Sequence, residues 1–374
     1  MTLIRFLVLL FLLPAFAFAD APPPPTVAAK AWLLYDYTSA HIIASSNEHE
    51  RIEPASLTKL MTAYLAFSAL KQKTLTLDQV VPVSERAWKT PGSRMFIEPG
   101  KPVTVEQLLH GMITQSGNDA AMALAEAVAG SEEVFVQMMN REAQRLGMKD
   151  THFVDPTGLP DPKHYTTAYD LNLLVAALIR DFPEYYPLFS QREFRYDNIS
   201  QPNRNRLLWL DPHVDGLKTG HTESAGYCLI ASAKRGAQRL VSVVLGTDSD
   251  SARTQESLKL LNYGFQFYQS AKLYSKGQAV STLEVWKGAE SSVKAGFLSD
   301  FYVSAPRGQA DQLKADLVST QPLVAPISVG QKVGMVKVTL QGKLLGEYPV
   351  VALENVPVAG FFGRAWDGMR LWFK

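Results

Sequence analysis

Apolar residues recur at helical spacing over residues 57–70, where Leu57, Leu60, Met61, Tyr64, Leu65 and Ala69 fall near one face. The same period predicts helices over residues 105–116, 118–129, 131–146, 168–180 and 251–268. Strands are predicted where the apolar runs shorten: residues 30–37 and 41–45 flank the turn Thr38-Ser39-Ala40, and residues 227–233 and 240–246 flank Lys234-Arg235-Gly236-Ala237 as a hairpin. The helix over 251–268 would close this first domain against that sheet. After about Ala271 the pattern changes to short alternating segments, at residues 280–286, 301–305, 314–319, 332–340 and 348–353. Turn residues separate them at regular intervals, which predicts a small all-β domain.

The two ends follow neither pattern. Residues 1–19 carry Arg5, an apolar run from Phe6 to Phe16 broken by Pro14, and then Ala17-Phe18-Ala19. This predicts a secretory signal cleaved after Ala19, because the run is shorter than the ~20 residues a membrane-spanning helix needs. Four consecutive prolines then make residues 20–26 a stiff, extended spacer ahead of the folded body. At the other end, Phe361, Phe362, Ala365, Trp366, Met369, Trp372 and Phe373 share one helical arc, opposite Arg364, Asp367, Arg370 and Lys374, with Leu371 misplaced. A helix over 357–374 is too short to cross a bilayer, but its aromatic arc suits the headgroup boundary. The expected location is the periplasmic face of the cytoplasmic membrane, held peripherally by this helix; docking on its own domain is the alternative.

Composition narrows the functions. The chain of 374 residues has 37 Lys+Arg against 36 Asp+Glu, so removal of Arg5 with the leader leaves it formally neutral. No basic field is available for a nucleic-acid backbone. The length suggests two domains, and the single Cys228 excludes an intrachain disulfide or a Cys-based zinc cluster. Cys228 reads as a small buried hydrophobe. No His, Asp or Glu grouping has metal-ligand spacing, so neither metal nor cofactor is expected.

Three short motifs carry candidate chemistry. Ser56-Leu57-Thr58-Lys59 opens the 57–70 helix, which sets the Ser56 hydroxyl at a helix N-terminus and Lys59 one turn away on the same face. A neutral Lys amine there could take the hydroxyl proton. Ser116-Gly117-Asn118 lies at a junction between two helices, where a hydroxyl and an amide can relay a proton and hold a carbonyl. Lys218-Thr219-Gly220-His221 lies on a candidate strand beside the 227–233 hairpin. There Lys218 and Thr219 offer a cation and a hydroxyl to a carboxylate, Gly220 admits a substrate backbone, and the His221 N–H can aim at an oxyanion. Singly, each motif also reads as ordinary architecture: an N-cap serine with a surface lysine, an inter-helix turn, a charged hairpin tip. Their order and spacing, at element boundaries, favour a single site.

Together they resemble the low-molecular-mass penicillin-binding proteins of the D-alanyl-D-alanine carboxypeptidase type. The likeness spans Pro54 to Thr62, Ser116-Gly117-Asn118-Asp119-Ala120, Gln201-Pro202-Asn203-Arg204-Asn205, Val214 to Gly226, the β-rich tail and the terminal helix. It implies an α+β fold: a serine peptidase domain of helices on an antiparallel sheet over 27–270, a β-sandwich over 271–356, and the membrane-associating helix. It implies that Ser56 attacks the bond between two terminal D-alanines of a peptidoglycan stem peptide, with Lys59 as base, Ser116 as proton relay and Asn118 holding the substrate. Lys218, Thr219 and Arg204 would receive the terminal carboxylate, the N–H groups of Ser56 and His221 would form the oxyanion hole, and Arg253 would support the strand. β-Lactams would acylate Ser56. Residues 151–171 contain Asp155, Asp161 and Asp170 but no Glu to activate water, which implies slow β-lactam turnover. Thr157 stands where some relatives carry His. A D,D-endopeptidase of the same fold and a non-catalytic cell-wall scaffold are the competing readings.

Overall fold

The computed structural model describes residues 21–371, so the expected leader and the last three residues, including Trp372 and Phe373, lie outside the described residues. Five antiparallel strands form the central sheet: β1 (Ala31–Asp36), β2 (His41–Ser46), β3 (Val214–Thr222), β4 (Gly226–Arg235) and β5 (Gln238–Thr247). Their order is β2-β1-β5-β4-β3. Strand β1 pairs along its whole length with β5, with Leu33 opposite Val243. Both faces of β1 are covered. Ala31 and Leu33 join the core under the helices, while Trp32 and Leu34 join a second cluster with Leu260 and Leu261 of helix Asp250–Phe267. Successive Cβ atoms point to opposite faces, which is why a strand buried on both reads as one apolar run.

Three helices position the site: α1 (Lys59–Lys71), α2 (Val105–Thr114) and α3 (Asn118–Ala129); α4 (Asp250–Phe267) covers the sheet's other face. The α1 helix is buried on nearly every side from Lys59 to Phe67, a wider burial than its one apolar face predicts. A capping box between Thr104 and Gln107 starts α2. Gly130, at φ 80°, ends α3 in the left-handed conformation a glycine tolerates.

Several expectations are corrected. Helix α2 stops at Thr114, because Ser116 takes a positive φ of 67°. Residues 21–26 do not stand ahead of the body but lie along α4: Tyr263 Oη donates to the Pro22 carbonyl at 2.7 Å and Lys259 Nζ to that of Thr26 at 3.0 Å. A strand, Tyr268–Tyr274, begins at the residue after α4, so the pattern change at Ala271 falls within it. Ser292–Gly296 and Leu323–Val324 are further strands that the alternation missed, and Lys343–Ala352 begins five residues before the predicted 348. Here a two-stranded and a six-stranded sheet enclose a core of valines and alanines such as Val293, Val303, Val336 and Ala352.

The terminal helix Phe361–Leu371 rests on this β domain by its polar side. Asp367 accepts the Lys287 N–H at 2.7 Å, and the Arg370 guanidinium lies 5.2 Å from the Trp286 ring centre. Phe361, Phe362 and Trp366 remain 73%, 86% and 60% exposed. Among the described residues no helix is long and apolar enough to cross a membrane.

Candidate active site

Ser56 sits in a single 3-10 turn, Ala55–Thr58, that runs directly into α1. It is therefore not the N-cap that its position before an apolar run predicts. The turn is strained at Ala55, with φ 48°, and the strain aims the hydroxyl at the first residue of the α-helix. Lys59 Nζ donates to Ser56 Oγ at 3.0 Å and to the Thr157 carbonyl at 2.6 Å. The Lys59 side chain is 1% exposed. Burial pushes its pKa down to about 7; Asp155 opposes that fall, Arg204 adds to it and Asp119 opposes it. A lysine in this state has a neutral amine available near pH 7 beside a hydroxyl it already touches.

The second motif faces it. Ser116 and Asn118 line the same cleft as Ser56, and Ser116 Oγ and Asn118 Oδ1 are buried without a hydrogen-bond partner among the described residues. Two unpartnered buried acceptors on a cleft wall are costly unless a ligand engages them. Asn118 is fixed from the other side, since its Nδ2 donates to the Pro91 carbonyl and its N–H to that of Ser93, each at 2.6 Å. Asp119, fully buried, accepts the N–H groups of Met95 at 2.9 Å and Phe96 at 2.8 Å. Residues 91–97 are thus tied to the start of α3 as a wall of the cleft.

The third motif lies on edge strand β3, paired only with β4, with Gly220 opposite Cys228. Gly220 packs closely on the turn that holds Ser56: a Cβ there would come 3.0 Å from the Pro54 carbonyl oxygen and 3.3 Å from Ala55 Cβ, so the turn would have to give by a few tenths of an ångström. The bare glycine lets β3 lie against the turn that holds Ser56. Thr219, His221, Arg204 and Arg253 line the cleft. Lys218 does not; it is 3% exposed and its Nζ donates to the Thr219 carbonyl at 3.1 Å. Burial, with Lys59, Arg204 and Arg253 nearby, holds its pKa well below the usual lysine value. Its amine thus lies buried near Lys59, Arg204 and Arg253, behind the cleft lining.

Arg253 Nη1 donates to the Gly220 carbonyl at 3.0 Å, while Nη2 pairs with Asp250. These contacts tie β3 to α4. Arg204 makes no ion pair among the described residues, and burial and Arg253 lower its pKa. It is the cation on this wall left for an anionic ligand. The His221 ring packs on Tyr227, with centres 4.0 Å apart. Cys228 is fully buried, and burial pushes its thiol up to about 11. The whole cleft encloses about 870 Å³.

The group beneath Lys59 lies outside the three motifs. Asp155 Oδ1 accepts from Thr157 N at 2.5 Å, Thr157 Oγ1 at 2.6 Å and Gly158 N at 2.7 Å. His164 Nδ1 stands 3.5 Å from Asp155 Oδ2, and His164 Nε2 is 3.0 Å from Thr58 Oγ1. Burial would raise the Asp155 pKa, but His164 and these bonds hold it at about 2. Lys59 uses the Thr157 carbonyl and not its side chain, so the Thr157 departure leaves this contact in place. In the sequence Asp155 and Thr157 stood out through the comparison of residues 151–171 with a water-activating loop, which says nothing of Lys59.

Comparison with known proteins places the chain in a family. A family model described as D-alanyl-D-alanine carboxypeptidase matches residues 18–249, and one described as the C-terminal domain of penicillin-binding protein 5 matches residues 268–358. The D-alanyl-D-alanine carboxypeptidase DacC of Escherichia coli K12 is 45% identical over 97% of this chain and 93% of its own length. DacF of Bacillus subtilis is 34% identical over 100% and 97%. Crystal structures of penicillin binding protein 5 from Haemophilus influenzae superpose with a TM-score of 0.86 at 39% identity, covering 90% of this chain and 99% of that one. Penicillin-binding protein D2 from Listeria monocytogenes, in its ampicillin-bound form, gives a TM-score of 0.60 at 32% identity over 65% and 100%. The chain belongs to the D-alanyl-D-alanine carboxypeptidase family.

Proposed function

We propose that the protein is a serine-type D-alanyl-D-alanine carboxypeptidase that removes the terminal D-alanine of peptidoglycan stem peptides. The observation that carries the reading is the 3.0 Å contact between Ser56 Oγ and a fully buried Lys59 whose pKa is lowered to about 7. Lys59 takes the Ser56 proton as Oγ bonds to the carbonyl carbon between the two D-alanines. The N–H groups of Ser56 and His221 receive the oxyanion, each donor being worth about 10²–10³ in rate. As the C–N bond breaks, Ser116 passes a proton from Lys59 to the leaving amine. Water then hydrolyses the ester and restores Ser56. Asn118 holds the retained part of the substrate, and Arg204, with Lys218 and Thr219 on the strand braced by Arg253, receives the terminal carboxylate.

β-Lactams mimic the scissile peptide, so they would acylate Ser56. Slow release is expected, because Asp155 already accepts three hydrogen bonds and is not free to activate a water. The terminal helix supports peripheral membrane attachment on the outer face of the cytoplasmic membrane, since its charged side chains turn to the β domain and its aromatic ones to solvent. The test of the enzyme reading is whole-protein mass spectrometry of the wild type and Ser56→Ala, with benzylpenicillin and with a peptide ending in D-Ala-D-Ala. An adduct and D-alanine release confined to the wild type are expected; neither in the wild type would reject it.

A further inference from the structure

The 155–158 turn is built backbone-first against the catalytic turn. Gly158, at φ 86°, has no room for a side chain: a Cβ would lie 1.8 Å from the Ala55 carbonyl oxygen. Pro156 gives its carbonyl to Thr62 Oγ1 at 2.7 Å, and Thr157 gives its own to Lys59 Nζ at 2.6 Å. What folds the turn is one carboxylate oxygen of Asp155, which gathers the N–H groups of Thr157 and Gly158 and the Thr157 hydroxyl. The charge on that carboxylate also reaches Lys59. Around Lys59 stand Asp155 and, beside it, His164 from this loop; Asp119 from α3; Arg204 from the segment before β3; and Lys218 from β3. Asp155 and Asp119 thus oppose burial and Arg204, while the pKa of Lys218 itself is held well below the usual lysine value.

We propose that Asp155 is a positioning residue for the acylation base: its carboxylate shapes the turn that hands Lys59 a carbonyl acceptor, and its negative charge keeps the buried Lys59 amine basic. Without that charge, burial and Arg204 would leave an amine that is neutral over a wider pH range but a weaker proton acceptor. Asp155 acts through Lys59 and touches no substrate. The inference rests on the acyl-serine reading of the site.

The experiment is the pH profile of Ser56 acylation by benzylpenicillin in the full chain, comparing wild type, Asp155→Asn, Asp155→Glu and His164→Gln. Asn keeps an acceptor oxygen for the turn and removes the charge. The acid limb of Asp155→Asn should move to lower pH by on the order of one unit, with the high-pH plateau lowered several-fold. Asp155→Glu and His164→Gln retain the charge, and their limbs should stay with the wild type even where their plateaus fall. A lowered plateau with an unmoved limb in Asp155→Asn would make the residue a structural brace only and overturn the inference. If Asp155→Asn does not fold, a limb in Asp155→Glu displaced as far as one unit overturns it instead. Failure of the wild type to acylate would reject the underlying reading, a separate outcome.

Discussion

The two domains are stabilised in opposite styles. The sheet-and-helix domain buries Asp36, Lys59, Asp119, Asp170, Asp211, Lys218, Arg253 and Glu256, whereas among the described residues after Tyr268 the buried polar side chains are Ser304 and Gln309, both uncharged. The β domain does what a small domain must: it hides valines and alanines and leaves its charges in water. The first domain accepts desolvated charges, each of which opposes folding unless neighbours compensate it. Asp36, Asp170, Asp211 and Glu256 are each held by partners away from the cleft, whereas Lys59, Asp119, Lys218 and Arg253 gather where the three motifs meet, so their cost marks the place where chemistry is done.

Lys59→Met breaks the comparison most severely. Acylation should fall by about 10⁴-fold or more. Stability should respond in the other sense at low pH. The Lys59 pKa is about 7 in the folded chain against an unfolded value near 10.4, so the unfolded state holds the extra proton between those values. Wild-type stability gains from this group as pH rises from about 7 to 10 and loses that gain as pH falls back through 7. Denaturant unfolding at pH 6 and pH 9 should therefore show the Met variant gaining on the wild type at the lower pH, by on the order of 1–3 kcal/mol. An identical difference at both pH values would mean that Lys59 is not buried with a depressed pKa. A sharper separation of the domains comes from deleting residues 360–374. Co-sedimentation with anionic vesicles should drop by about tenfold or more while acylation of Ser56 holds. Loss of both would mean that the helix supports the fold. The smallest effect is expected for Val336→Ala, fully buried in the β domain, at roughly 1–2 kcal/mol with acylation unchanged.

Much of this was legible in the chain because the signals were local. Residues 118–129 are bounded by Gly117 and Gly130, and the helix occupies those residues. The hairpin β4–β5 turns at Gly236-Ala237, within the predicted tetrapeptide. What escaped depends on partners distant in sequence. The Tyr268–Tyr274 strand is set by pairing with Phe301–Pro306, and its aromatic start continues the apolar spacing of α4, so periodicity carried the helix onward. Ser56 looked like a cap because the pattern cannot see the 3-10 turn forced by Gly158 and Gly220 packing on Pro54 and Ala55. His164 was silent, and Asp155 showed as a loop carboxylate with no link to Lys59, for the same reason. Their partner is a helix start about a hundred residues earlier, brought close only by the finished fold.

The pairing of β1 with β5 has a kinetic consequence. Ala31 finds its partner only at Leu245, so a chain made from its N-terminus carries β1 and β2 as an isolated hairpin until nearly the whole first domain has been synthesised. A two-stranded hairpin is marginal alone, and closing so long a loop is slow. The last eight strands, all between Tyr268 and Ala352, face no such wait. The domain that does the chemistry is thus committed late, and its N-terminal half stays extensible while the rest of the polypeptide is still being made.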